Sequence, residues 1–266
     1  MSQRTEYAPG TPSWTDLATP DLAASEAFYG SLFGWSFDTQ DTGDADNPYV
    51  MINQGDKAVA GMMKLSPEMA AGGMPPVWST YVTVKDVDAA AKRAKDLGGA
   101  ALSESMDVMD AGRMAVVADP GGAVFCVWEP KEHSGAEIVN EPVSMTWNEL
   151  LTPDVPAVKP FYEGLFGWQA EDMEMPGGEG TYTAWNLPGT EQAVGGAMGS
   201  PMEGMPALWN VYFQVDDTDA TVEKAKQLGA TVMAGPMDIE GVGRFAGLVD
   251  PQGAMFSVLK SSNPQP

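Results

Sequence analysis

The chain has 266 residues, enough for two domains that each bury a core, and its 44% apolar content is that of a globular protein. A net charge of −23, from 37 acidic and 14 basic residues, argues against nucleic acid and anionic membrane as partners, since both require a cationic face. The single cysteine, Cys126, rules out an intrachain disulfide, and no stretch approaches the roughly 18 apolar residues of a membrane helix.

Residues 1–10 read as a loose, polar tail without the apolar segment of a signal peptide, so the cytoplasm is the expected compartment, with signal-less export left open. Ser13–Ala18 alternates as a strand, and Thr19 or Asp21 caps the helix that follows. In that helix Leu22, Tyr29, Leu32 and Phe33 share a face, and Gly34 ends it. Strands are expected at Trp35–Thr39, Tyr49–Asn53 and Ala58–Leu65, which completes one β-α-β-β-β module. Residues 66–76, rich in proline and glycine, bridge to a second module. Its strands are expected at Trp78–Val84, 101–105, 113–118 and 123–128, its helix at Val87–Leu97, and its last turn at Asp119-Pro120-Gly121-Gly122. Residues 131–143 form a linker that holds the only histidine, His133, read as a solvated loop residue; residues 261–266 read as a tail.

The chain then repeats itself. Trp14 to Trp35, WTDLATPDLAASEAFYGSLFGW, returns without a gap as WNELLTPDVPAVKPFYEGLFGW at Trp147 to Trp168, an offset of 133. Further on, Trp78, Tyr81, Asp86, Arg113, Asp119 and Gly122 return as Trp209, Tyr212, Asp217, Arg244, Asp250 and Gly253, an offset of 131. The expected fold is therefore α+β: four βαβββ modules in two domains, 11–130 (modules 11–66 and 76–130) and 144–261 (modules 144–199 and 207–261). Pairing two modules closes a sheet around a cavity, so each domain should own a pocket.

Three features carry a resemblance to a known family: the strand-to-helix pattern ending in Asp21, the Phe28-Tyr29-x-x-Leu32-Phe33-Gly34-Trp35 segment, and the Asp119-Pro120-x-Gly122 turn. With their second-half copies they resemble the vicinal oxygen chelate superfamily of glyoxalase I, extradiol dioxygenases and bleomycin-resistance proteins. Among these they are similar to the tandem glyoxalase-like proteins of actinobacteria, often labelled hydroxylases or antigens. The resemblance implies metal-ligand positions at Trp14, Ser79 and Cys126 in the first half and Trp147, Asn210 and Ser257 in the second. A further position falls among Ala60, Gly61 and Met62, or among Gly195, Gly196 and Ala197. A catalytic divalent ion normally needs three N, O⁻ or S⁻ ligands, which these residues do not supply. No metal and no other cofactor is expected.

Strand alternation turns Asp16 the same way as Trp14, and Glu149 the same way as Trp147. Each acid reads as a hydrogen-bond acceptor or base for a ligand, with its pKa raised by burial, or else as a carboxylate capping backbone or pairing an arginine. Ser79 and Tyr81, with Asn210 and Tyr212, alternate toward the same face and fit ligand orientation, although a buried tyrosine is also common core. Arg113 and Arg244 could clamp an anion; a structural ion pair with Asp119 and Asp250, or with Asp107 and Asp238, is preferred. Trp14, Trp78, Trp128, Trp147, Trp185 and Trp209, with Met62, Met63 and Met198, could line an aromatic slot or be plain core. Cys126 reads as an inert buried thiol.

The leading expectation is a metal-independent protein that binds a small, aromatic or planar molecule, as a monomer or weak homo-oligomer. The alternatives are a glyoxalase-like or hydroxylase-like enzyme with Asp16 or Glu149 as base, and an interaction protein with vestigial pockets.

Overall fold

The computed structural model describes residues 3–44, 47–175 and 180–262. The first module runs β1 (Pro12–Thr19), α1 (Leu22–Phe33), β2 (Ser36–Gln40), β3 (Tyr49–Gln54) and β4 (Lys57–Lys64). The bridge that follows holds a short helix, α2 (Pro67–Ala71). The second module runs β5 (Val77–Thr83), α3 (Val87–Asp96), β6 (Ala100–Ala101), β7 (Met106–Val108), β8 (Gly112–Ala118) and β9 (Val124–Pro130). Residues 101–105 do not form the expected continuous strand; pairing with β8 is split between β6 and β7.

The second half opens with β10 (Met145–Thr152), α4 (Val155–Phe166), β11 (Gln169–Glu174), β12 (Thr181–Asn186) and β13 (Ala193–Gly199). It closes with β14 (Leu208–Gln214), α5 (Thr218–Gln227), β15 (Thr231–Ile239), β16 (Gly243–Val249) and β17 (Met255–Ser261). Each half makes one sheet. The first has the order β2-β3-β4-β1-β5-β9-β8-β6, and the second has β11-β12-β13-β10-β14-β17-β16-β15. In both, the first strand of one module pairs antiparallel with the first strand of the next, β1 with β5 and β10 with β14.

The helices start where the sequence signals them. The side chains of Asp21, Asp86, Asp154 and Asp217 accept from Ala24 N, Ala89 N, Ala157 N and Ala220 N at 2.9–3.1 Å, which satisfies backbone donors the helix leaves free. Gly34 and Gly167 end α1 and α4 at φ 75° and 73°, a conformation costly for other residues.

The two sheets stand back to back. Each helical face is apolar, and the buried clusters mix the two halves. One combines Leu17, Phe28, Tyr29, Phe33 and Trp78 with Phe213, Phe256 and Val258; the other combines Val82, Val117 and Phe125 with Phe161, Tyr162, Trp185 and Trp209. Burying each such aromatic side chain is worth roughly 1.5–3 kcal/mol. The centres of the sheets touch directly, where Thr80 Oγ1 on β5 donates to Asn148 Oδ1 on β10 at 2.8 Å. The Asp-Pro-x-Gly turns complete the join. Tyr29 OH donates to Asp250 Oδ2 at 2.8 Å and Tyr162 OH to Asp119 Oδ2 at 2.9 Å, while Trp78 Nε1 and Trp209 Nε1 donate to those tyrosine oxygens at 2.9 and 3.0 Å.

Two segments expected to be loose are packed instead. Within residues 3–10, Arg4 N donates to Glu137 O, Tyr7 OH to Ala136 O at 2.6 Å, and Gly10 O accepts from Trp168 Nε1 at 2.8 Å. The linker runs as a strap across one end of the first sheet. Its backbone bonds Ala111 O through His133 N, Ser13 O through Ala136 N and Ala58 O through Glu137 N. Scattered backbone and side-chain hydrogen bonds, with Ala136 and Ile138 buried, hold both segments without apolar periodicity, which is why composition gave no sign of them. Of the expected tail, residues 263–266 lie outside the described residues, and Ser261 belongs to β17.

Candidate functional site

The face of each sheet that points away from the helices is concave, and strand register alone assembles a constellation on it. In the first half Asp16 on β1 lies opposite Gly61 on β4 and Ser79 on β5. One step along, Trp14 faces Tyr81, which faces Cys126 on β9. The second half repeats this with Gly196, Glu149 and Asn210 in one row, and Trp147, Tyr212 and Ser257 in the next. Paired residues in a sheet share a face, so ten expected site residues fall into two bays of five, and Trp128 on β9 joins the first.

At the floor of each bay is a buried carboxylate held by tyrosines. Tyr81 OH donates to Asp16 Oδ2 at 2.7 Å, and Tyr49 and Ser79 also donate to that carboxylate. Tyr212 OH donates to Glu149 Oε2 at 2.6 Å, with Tyr182 as the second donor. Burial pushes the Asp16 carboxyl up to about 6; the tyrosine and serine bonds act the other way. Glu149 is raised for the same reason. Neither acid caps backbone or meets an arginine, so the structural alternatives open at the sequence level are not the ones realised.

Tyr49 and Tyr182 were not singled out from sequence. Each accepts from the indole of the first strand, Trp14 Nε1 at 2.9 Å and Trp147 Nε1 at 2.8 Å, while its hydroxyl donates to the carboxylate. Each also requires a glycine beside it: a Cβ on Gly61 or Gly196 would fall inside the tyrosine hydroxyl's own volume. These glycines sit among the fourth-strand positions where the resemblance implies a metal ligand, so a phenol oxygen occupies the space such a side chain would use. The identical spacing of Tyr49 and Tyr182 in the repeat, an offset of 133, was the available signal.

The bays differ in how they are covered. The first is lined by Trp14, Tyr81, Cys126, Trp128 and Ala136, all buried, with Met51 and Met114 against them. The strap closes its end: the His133 ring meets Trp14 edge-on at 4.4 Å, and Trp128 Nε1 donates to His133 O at 2.9 Å. His133 is thus half-buried rather than solvated. Its Nε2 is shielded and without a partner among the described residues, and burial holds its pKa below the usual imidazole range. Trp14 is 4% exposed, whereas its counterpart Trp147 is half-buried; Tyr182 and Phe245 in the second bay are half-buried, as are Tyr49 and Met114, their counterparts in the first. The expectation of a roomy pocket in each domain is therefore not met at either bay: side chains fill the first, and Glu149, Asn210, Tyr212 and Ser257 are all buried in the second. The volumes of about 430 and 370 Å³ that the surface offers are shallow grooves, by Arg244 and Lys260 and by Thr39–Pro48, away from both bays.

Other expected site residues lie elsewhere. Arg113 turns to the helical side, binding Asp88 at 2.9 Å and Asp107 at 3.6 Å; Arg244 binds Asp238 at 2.9 Å and also Asp219. They are surface ion pairs with the sheet edge and the first helical turn, not with Asp119 or Asp250, and neither reaches a concave face. Trp78, Trp185, Trp209 and Met62 are inter-sheet core, because strand alternation turns them away from the bays. Met63, paired with Tyr49, stays on the concave side. Cys126 is buried at the floor of the first bay, and burial pushes its thiol pKa up, as expected of an inert thiol.

Among the described residues no three His, Cys, Asp or Glu side chains converge. Each bay presents one carboxylate already engaged by phenols, beside an indole, a hydroxyl and either a thiol or an amide. That donor set does not fit a divalent ion. It can accept and donate hydrogen bonds, or move a proton at a carboxylate oxygen.

Comparison with known proteins places this geometry. Residues 14–128 match the family described as Glyoxalase-like domain, and residues 144–258 match the Glyoxalase/Bleomycin resistance protein/Dioxygenase superfamily. The "Putative glyoxylase CFP32" of Mycobacterium bovis is 44% identical over 265 residues, covering 100% of both chains. The "Anthracycline biosynthesis protein DauV" of Streptomyces sp. strain C5 is 38% identical over 266 residues, covering 96% of this chain and 95% of that one. The solved structure of a Mn(II)-bound glyoxalase from Novosphingobium aromaticivorans aligns at TM-score 0.63 and 17% identity, over 97% of this chain and 86% of that one. The 2,3-dioxygenase LapB from Pseudomonas sp. KL28 aligns at TM-score 0.65 and 13% identity, over 98% and 96%. At those identities the two structures share the fold.

Proposed function

The chain belongs to the glyoxalase/bleomycin resistance protein/dioxygenase superfamily, and within it we propose a metal-independent protein that binds a small planar, aromatic molecule. The observation that carries this is the phenol-held carboxylate at the floor of each bay, with the phenol oxygen of Tyr49 or Tyr182 in the fourth-strand space where the resemblance implies a metal ligand. A flat ligand can lie against the indole on the first strand and hydrogen-bond to the polar floor. The relative named for anthracycline biosynthesis supports a polycyclic aromatic as the class.

The test is titration of the purified protein with a panel of planar aromatic compounds, following tryptophan fluorescence with and without EDTA. Binding of at least one compound that is indifferent to the chelator is expected. No quenching or shift anywhere, or one tightly bound transition metal per half by elemental analysis, overturns the reading.

A second reading is a general acid–base enzyme, favoured by the Asp16 carboxyl lying at about 6, close to working pH. Turnover of a carbonyl or phenolic substrate that Asp16→Asn or Glu149→Gln abolishes, and that a chelator leaves alone, distinguishes it from binding alone.

A further inference from the structure

The two bays are built from one repeat but end in different hydrogen-bond accounts. In the second, the direction of every bond is fixed by its neighbour. Glu149 accepts, so Tyr212 OH donates to it at 2.6 Å. The Tyr212 oxygen in turn takes a bond from Ser257. The Ser257 Oγ accepts from Asn210 Nδ2 at 2.8 Å. That chain orients the amide, and it leaves Asn210 Oδ1 with no partner among the described residues although the residue is only 4% exposed. A buried acceptor without a donor costs about 1–3 kcal/mol, which a donor arriving from outside recovers.

The sheet of the first bay has no such vacancy; the unpartnered buried atom there, among the described residues, is His133 Nε2, which belongs to the strap. Ser79 stands where Asn210 does, and its hydroxyl bonds Asp16 directly. His133 and Trp128 close its end, and Trp14 is 4% exposed. In the second bay the indole of Trp147 is half-buried and so partly open to solvent; Tyr182 and Phe245 beside it are half-buried like their counterparts Tyr49 and Met114, and Phe245 lies 6.4 Å from Tyr212.

From this asymmetry we infer that the second bay is the operative one, and that it selects planar aromatic molecules carrying a free hydroxyl, which donates its proton to Asn210 Oδ1. The inference rests on the aromatic-binding reading above and sharpens it to one site and one functional group. The ligand's ring lies against the indole of Trp147, the aromatic side chain that is partly open here and buried in the first bay. An ether at the hydroxyl position cannot donate and leaves the amide oxygen unpaired, so the site rejects it.

The test is calorimetric titration of the intact chain with 2-naphthol and with 2-methoxynaphthalene. One equivalent of 2-naphthol per chain is expected, bound roughly tenfold or more tightly than the ether. In Asn210→Leu, which keeps the volume and removes the acceptor, that preference disappears. Equal binding of the two compounds overturns the inference and leaves the aromatic-binding reading standing. So does a hydroxyl preference that survives in a folded Asn210→Leu chain, or two equal sites per chain. Binding of neither compound overturns the inference, and the aromatic-binding reading then stands or falls on the fluorescence panel described above. The comparison of the two compounds on the unaltered chain decides the matter even if the variant does not fold.

Discussion

Tyr29 in the first half donates its hydroxyl proton to Asp250 in the second, across 221 residues of chain and 2.8 Å of space. Its counterpart, Tyr162 to Asp119, makes the same bond in the opposite direction at 2.9 Å. The residues that advertise the family in sequence are thus the clasp between the halves, not the site.

Removing either hydroxyl strands a buried carboxylate oxygen and an indole N–H. Tyr29→Phe and Tyr162→Phe are each expected to cost roughly 2 kcal/mol in chemical denaturation. The two clasps share no residue, so the double variant is expected to cost close to the sum of the singles.

The Asp16 carboxyl has a folded-state value of about 6 against an ordinary 3.8, so the native state binds the extra proton. The stability this group contributes is whole below about pH 4 and is lost as pH rises through about 6, on the order of 1–3 kcal/mol. Asp16→Asn removes the titration. Denaturation of the variant and the parent is expected to coincide near pH 4 and to favour the variant at pH 8; the reverse order would contradict the assignment.

Gly61 and Gly196 leave room only for hydrogen beside Tyr49 and Tyr182. Gly61→Ala forces the phenol out of place and is expected to cost about 1–3 kcal/mol, as overpacking does. Tyr49→Leu removes the obstruction, so the two changes combined are expected to cost less than their sum in a double-mutant cycle. Additivity would mean the glycine is not needed for the phenol.

Gly135 in the strap has φ 130°, and a Cβ there would come 2.5 Å from Ser13 O. Gly135→Val is therefore expected to lift the strap from β1 and uncover Trp14 and Trp128. Acrylamide quenching of the tryptophan fluorescence should increase, and trypsin should cut faster after Lys131, while the far-ultraviolet circular dichroism stays that of the parent.

The fold was legible because the repeat is strong and each module carries its own punctuation: a capping aspartate, a closing glycine, and Asp-Pro-x-Gly. Alternation on β1 and β5 also brought Trp14, Asp16, Ser79 and Tyr81 to one face. What stayed hidden depends on distance along the chain. Tyr49 reaches Asp16 from β3, across β4, and no local period marks a phenol that spans two strands. The strap was hidden because its backbone bonds leave no trace in composition and the two side chains it buries, Ala136 and Ile138, follow no strand or helix period. Arg113 and Arg244 were recognisable as ion pairs with Asp107 and Asp238, but the helix-turn partners Asp88 and Asp219 come from the crossing of α3 and α5 over their sheets.

Because the helical faces are fused into one interior, the concave faces look outward in opposite directions, toward different regions of solvent. A molecule seated in one never comes within reach of the other. Any influence of occupancy in one half on the other must be relayed through the tyrosines, tryptophans and phenylalanines packed between them, by a change in how tightly those rings fit.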